Sequence, residues 1–173
     1  MGRTVGIGIQ DFEEVINNNC FYVDKTDFIK EWWENGDSVT LITRPRRFGK
    51  TLNMSMLNRF FSLEYAGKGE VFEGLSIWKE EKYRQLQGTY PVINLSFASI
   101  KETNFETTKL RMIEILQSLF ERFSFLSKSD KLSENERDYM KRMVREMTAF
   151  DAGSALHRLS ELLYKHYGQK VII

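Results

Sequence analysis

The feature that most constrains this chain lies between residues 39 and 61. A short β-branched run, Val39-Thr40-Leu41-Ile42-Thr43, is followed by the loop Arg44-Pro45-Arg46-Arg47-Phe48-Gly49. Beyond it, Leu52, Met56, Leu57, Phe60 and Phe61 recur at helical spacing and share one apolar face. The order is therefore strand, loop, helix, and the triplet Gly49-Lys50-Thr51 stands where the helix begins. A helix N-terminus presents unpaired N–H groups and partial positive charge, which suits an anion. Gly49 lets a ligand approach the backbone without a Cβ in the way. Lys50 is a flexible point charge for the outer phosphates, and Thr51 offers a hydroxyl to Mg²⁺. The usual pattern, G-x-x-x-x-G-K-[ST], has glycine where this chain has Arg44, with Pro45 next. An ordinary basic loop is the bland reading of the same residues.

The rest of the chain supplies a frame. Phe21-Tyr22-Val23 reads as a short strand, with a helix from about residue 25 to 34 that Asp24 is placed to cap. Pro91-Val92-Ile93-Asn94-Leu95-Ser96-Phe97 reads as another strand, with proline tolerated only at its start. Thr103 with Glu106, and Ser133 with Glu136, have capping-box spacing before helical stretches. The first stretch carries Met112, Ile113, Leu116, Phe120 and Phe123 on one face. A last helix carries Leu156, Leu159 and Leu163 and stops at Gly168, and Val171-Ile172-Ile173 opens a further buried strand. Strands separated by long helices predict an α/β fold with a parallel sheet covered on both faces, and ligands in such sheets bind beyond the carboxyl ends of the strands. The 44–49 loop lies there.

With 173 residues the chain is long enough for one well-buried domain. Its net charge of +1 creates no global field for nucleic acid or membrane, so anion recognition must be local. A single cysteine, Cys20, allows no internal disulfide and reads as a small core hydrophobe. The start lacks the apolar run of a signal peptide, and position 6 is Gly, outside the myristoylation pattern. No stretch approaches a membrane span, which gives a cytoplasmic expectation. Gly6-Ile7-Gly8 is not a dinucleotide fingerprint, because Asp11 occupies the third glycine position. His157 and His166 point to opposite sides of a helix and share no metal site.

Three blocks carry a resemblance: Gly8-Ile9-Gln10-Asp11-Phe12, Tyr22-Val23-Asp24-Lys25-Thr26 and Thr43-Arg44-Pro45-Arg46-Arg47-Phe48-Gly49-Lys50-Thr51. In this order and spacing they resemble the bacterial AAA-ATPase-like family, from about residue 6 to the last residue. That family has an Arg-Pro-Arg-Arg-Phe-Gly-Lys-Ser/Thr loop in place of the glycine-first Walker A form, so the resemblance accounts for Arg44. It implies a P-loop NTPase-type three-layer sandwich, here incomplete at the C-terminus. Residues 1–36 would form an N-terminal strand-helix segment and 37–173 a truncated nucleotide-binding core. It implies ATP and Mg²⁺ as cofactors and a hydrolase activity driving action on an unknown partner.

On that reading Arg46, Arg47, Phe48, Gly49, Lys50, Thr51 and Leu52 form the nucleotide-binding loop, Lys50 is catalytic, and Thr51 ligates Mg²⁺. Asp24, Lys25 and Thr26 are candidates for the base side of the pocket, with a helix cap as the rival role of Asp24. The family's Gly-x-x-Val-Ile-Ile run leads into the Walker B acids. Gly168-Gln169-Lys170-Val171-Ile172-Ile173 matches that run, so the acids would come next and the fragment is expected to be inactive and prone to self-association. Members often carry a C-terminal nuclease-like domain, of which nothing is present here. The alternatives left open are a nucleotide-dependent switch or scaffold, and a nucleic-acid-binding module using Arg44, Arg46 and Arg47.

Overall fold

Helices, rather than strands, organise this chain. The computed structural model describes residues 4–6 and 8–173. The leader and dinucleotide readings of the first residues fall partly on residues 1–3 and 7, outside the described residues. The chain divides into two compact units, Met1–Val92 and Ile93–Ile173.

In the first unit α1 (Phe12–Asn17), α2 (Asp27–Asn35), α3 (Lys50–Phe61) and a short α4 (Glu81–Arg84) are joined by 3-10 turns, among them Ser76–Lys79. Its core is aromatic. Phe12, Phe60, Phe61 and Phe72 are fully buried, and Phe72 meets Phe12 at 5.1 Å and Phe60 at 5.2 Å between ring centroids. Burying each such ring contributes about 2–3 kcal/mol. Ring-to-ring geometry adds directional preference, which fixes how α3 lies against α1. The apolar face expected of α3 is the face that is buried, through Met56, Phe60 and Phe61.

The second unit holds α5 (Phe105–Arg122), α6 (Glu134–Arg145), a short α7 (Ala149–Ala152) and α8 (Ala155–Tyr167). Leu116, Leu119, Phe120, Met140, Met143, Leu159, Leu162 and Leu163 form its core. The Ser133–Glu136 capping box is formed, and Gly168 ends α8 in the left-handed region with φ 70°. Asn104, not Thr103, caps α5, and Met112 faces outward. A second capping box, Thr148 with Asp151, starts α7.

The expected three-layer sandwich with a parallel sheet is not there. The structure is 56% helical with 4% strand and no sheet among the described residues. Pairing is limited to isolated bridges such as Thr4 with Cys20 and Ser62 with Tyr90. Within the second unit, Ile93 N donates to Ile172 O at 2.8 Å. In the 39–43 run Val39 is 88% and Leu41 82% exposed. The physical reason is that a helix closes its hydrogen bonds within its own segment, whereas a strand needs a partner of matching length. β-branched residues favour an extended backbone, but residue type does not supply the partner.

Candidate functional site

The 44–51 loop enters α3 through two residues in the left-handed region, Arg47 at φ 69° and Gly49 at φ 76°. Left-handed residues in turns line up backbone N–H groups into concavities that hold anions. Gly49 is the N-cap of α3 and provides no side-chain hydrogen bond, and the first turn of α3 contains no acid. By contrast, α5 and α6 begin on capping side chains, from Asn104 and Ser133, with acids in their first turns. The N–H groups opening α3 therefore have neither a side-chain cap nor a carboxylate to answer them.

The Lys50 ammonium curls back over the loop and donates to the carbonyl oxygens of Arg44 and Pro45, the latter at 3.0 Å. Thr51, Arg44, Arg46, Arg47 and Phe48 are exposed, while Leu52 is half-buried on the inner side of α3. Lys25 reaches the loop from the other bank. Its Nζ lies 3.7 Å from where a Cβ on Gly49 would sit. Between the banks is a cleft of about 740 Å³, lined by Lys25, Asp27, Phe28, Arg44, Phe48 and Asn53 together with the 40–43 backbone run. Lys25, Arg44, Arg46, Arg47 and Lys50 make no ion pair among the described residues, although ion pairs are frequent elsewhere in the molecule.

Asp24 and Thr26 take a different part from Lys25. One Asp24 oxygen accepts from the N–H and hydroxyl of Thr26 at 2.9 and 2.7 Å, and the other accepts from Ser76 N at 2.7 Å. The buried Thr26 hydroxyl in turn accepts from Ile77 N at 3.1 Å. Burial raises the Asp24 pKa, but the bonds from Thr26 and Ser76 outweigh it and hold the carboxyl below its ordinary value. Thr26, rather than Asp24, occupies the N-cap position of α2, which starts at Asp27. These two side chains fasten the segment to the Ser76–Lys79 turn.

The other two blocks of the sequence also meet at α3. Ser55 of α3 donates to Asp11 at 3.2 Å and accepts from Phe12 N at 3.0 Å. The Tyr22 hydroxyl contacts Met56 Sδ at 3.4 Å and accepts from Lys25 N at 3.3 Å, and burial pushes its pKa up to about 12. Asp27, Phe28 and Asn53 are cleft residues that the sequence reading missed. Asn53 lies three positions after Lys50, hence on the same helix face, which was the available signal.

Residues 6–173 match the family model described as Predicted AAA-ATPase. The chain belongs to this AAA-ATPase-like family. A protein of Azotobacter chroococcum mcd 1, described as an uncharacterized protein in the vnfD 5' region, is 36% identical over 96 residues. That match covers 55% of this chain and 17% of the relative, so the chain corresponds to a small part of the relative's length. No solved structure matches. Membership supports nucleotide binding in coarse terms. No helix among the described residues is long and apolar enough to cross a membrane.

The residues present fit a metal-bound nucleoside triphosphate. No group of three or more His, Cys, Asp or Glu side chains comes together among the described residues. Mg²⁺ does not need such a cage, because it keeps several waters and takes phosphate oxygens with few protein ligands. An exposed hydroxyl on Thr51 is a hard oxygen of the right kind.

Proposed function

We propose that this AAA-ATPase-like chain binds ATP with Mg²⁺ at the 44–51 loop, and that the protein hydrolyses it to act on a partner. One observation carries the reading: Lys25, Arg44, Arg46, Arg47 and Lys50 stand about the uncapped start of α3 with no ion pair among the described residues. A cluster of cations unanswered within the protein is stabilised by a polyanion, and a triphosphate has the matching charge.

The roles follow from position. Lys50 exchanges two neutral carbonyl acceptors for anionic oxygens of the β- and γ-phosphates, gaining charge-assisted bonds. The N–H groups from Arg47 to Thr51 cradle oxygens, and Arg46 and Arg47 offer planar forks to phosphate. Mg²⁺, when bound through the Thr51 hydroxyl, neutralises charge on the phosphate oxygens. Exposed Phe48 and half-buried Phe28 give the cleft an apolar wall for the remainder of the ligand.

The three exposed arginines favour one rival, binding of nucleic-acid phosphates. Titration calorimetry with ATP, adenosine and a single-stranded oligonucleotide, each with and without Mg²⁺, separates the readings. ATP should bind, adenosine should not, and Thr51→Ala should abolish the gain in ATP affinity from Mg²⁺. Oligonucleotide binding that falls steeply with salt, with no ATP binding, would replace the proposal with the nucleic-acid reading. ATP turnover by the protein distinguishes an ATPase from a nucleotide-dependent switch.

A further inference from the structure

We infer that Lys25 is a second phosphate-binding ammonium, which closes over the phosphate chain from the bank opposite Lys50. The inference rests on the proposed nucleotide reading of the loop and deepens it. Proximity is the first support: Lys25 Nζ lies 3.7 Å from the position a Gly49 Cβ would take, at the entry to α3 where phosphate oxygens would be held. A residue serving the base would have to reach away from that point.

The second support is how its backbone is held. Asp24 is tied to Ser76 N at 2.7 Å, Thr26 to Ile77 N at 3.1 Å, and Lys25 N itself donates to the Tyr22 hydroxyl at 3.3 Å. Both flanking residues are thus fastened through their side chains, while the Lys25 side chain is exposed and makes no ion pair among the described residues. Asp27 lines the same cleft without pairing with it. A lysine with a fixed backbone and a free head is pre-organised to meet an anion, since the cost of ordering the backbone has already been met in folding.

Lys25 Nζ lies beside Gly49 and Lys50 is the next residue of the chain, so two positive charges stand at one loop and repel each other in the absence of an anion. A phosphate chain between them turns that repulsion into two charge-assisted contacts. Lys25 has a long stem and three rotatable donors, so it can follow the phosphate chain as a flexible clamp rather than a rigid fork.

The test uses two probes, ATP and inorganic tripolyphosphate, which has the phosphates without the base. Their affinities are measured calorimetrically for the parent chain and for Lys25→Gln, Lys25→Arg and Lys50→Ala, with circular dichroism to confirm that each variant is folded. Lys25→Gln should weaken both probes by a similar factor, about tenfold or more, and Lys25→Arg should restore most of the loss. Loss confined to ATP would place Lys25 at the base and overturn the inference. Unchanged binding of both probes by Lys25→Gln, with Lys50→Ala impaired, would overturn it as well. Unchanged binding by Lys50→Ala would instead remove the nucleotide reading itself, and the inference with it.

Discussion

Arg47 and Gly49 carry the sharpest backbone demands of the site. Both lie in the left-handed region, at φ 69° and 76°. For an L-residue that region costs about 1–2 kcal/mol, whereas glycine enters it freely. Such cost persists where the surroundings or a function hold it in place. Arg47→Gly is therefore expected to raise stability by about 1 kcal/mol in urea denaturation while lowering ATP affinity through loss of the guanidinium. A variant that loses stability and keeps full affinity would mean that Arg47 serves packing. At this scale the sequence was partly readable. The helix start at Gly49-Lys50 was readable, but an arginine gives no sign of a positive φ, because nothing in its side chain favours one.

At the scale of elements, helix ends were better forecast than their side-chain partners. Ser133 and Glu136 cap α6 as their spacing required, because a capping box is local and its partners are three residues apart. The role of Asp24 was not readable, since its partner Ser76 is distant in sequence. Nor was the interaction of Glu136 with Lys165 of α8, which only the tertiary fold brings about. The Lys165 ammonium, followed by bonds from Ser133, lowers the Glu136 pKa to about 2 from its ordinary 4.5. A depressed carboxyl contributes stability that is fully present above its unfolded value and is lost as pH falls through the folded one. Glu136→Gln should therefore flatten the loss of stability between about pH 4.5 and 2. Denaturant midpoints measured across that window would check it, and parallel curves for the parent and the variant would count against the capping role.

At the scale of the whole molecule, the helices and the apolar faces of α3 and α8 were legible, and the sheet was misread. Runs such as 39–43 and 91–97 have the composition of buried strands, yet Val39 and Leu41 are open to solvent and no sheet forms among the described residues. A periodic pattern is a property of one segment, while a sheet is a property of pairs. The candidate site was easier to name from the sequence than the fold around it, because the residues of the 44–51 loop are contiguous. Its three blocks gather on α3: Asp11 and Phe12 through Ser55, Tyr22 through Met56, and Lys25 beside Gly49. On the proposed reading, what the blocks build together is one anion-holding helix start. The most direct measurement of that claim is calorimetric titration of Mg²⁺-ATP into the parent chain and Lys50→Ala, with both shown to be folded by circular dichroism. Lys50 is held by carbonyl groups of its own loop rather than by the core, so its loss should leave the fold intact and weaken ATP binding about tenfold or more. Equal affinity in two folded proteins would contradict the account.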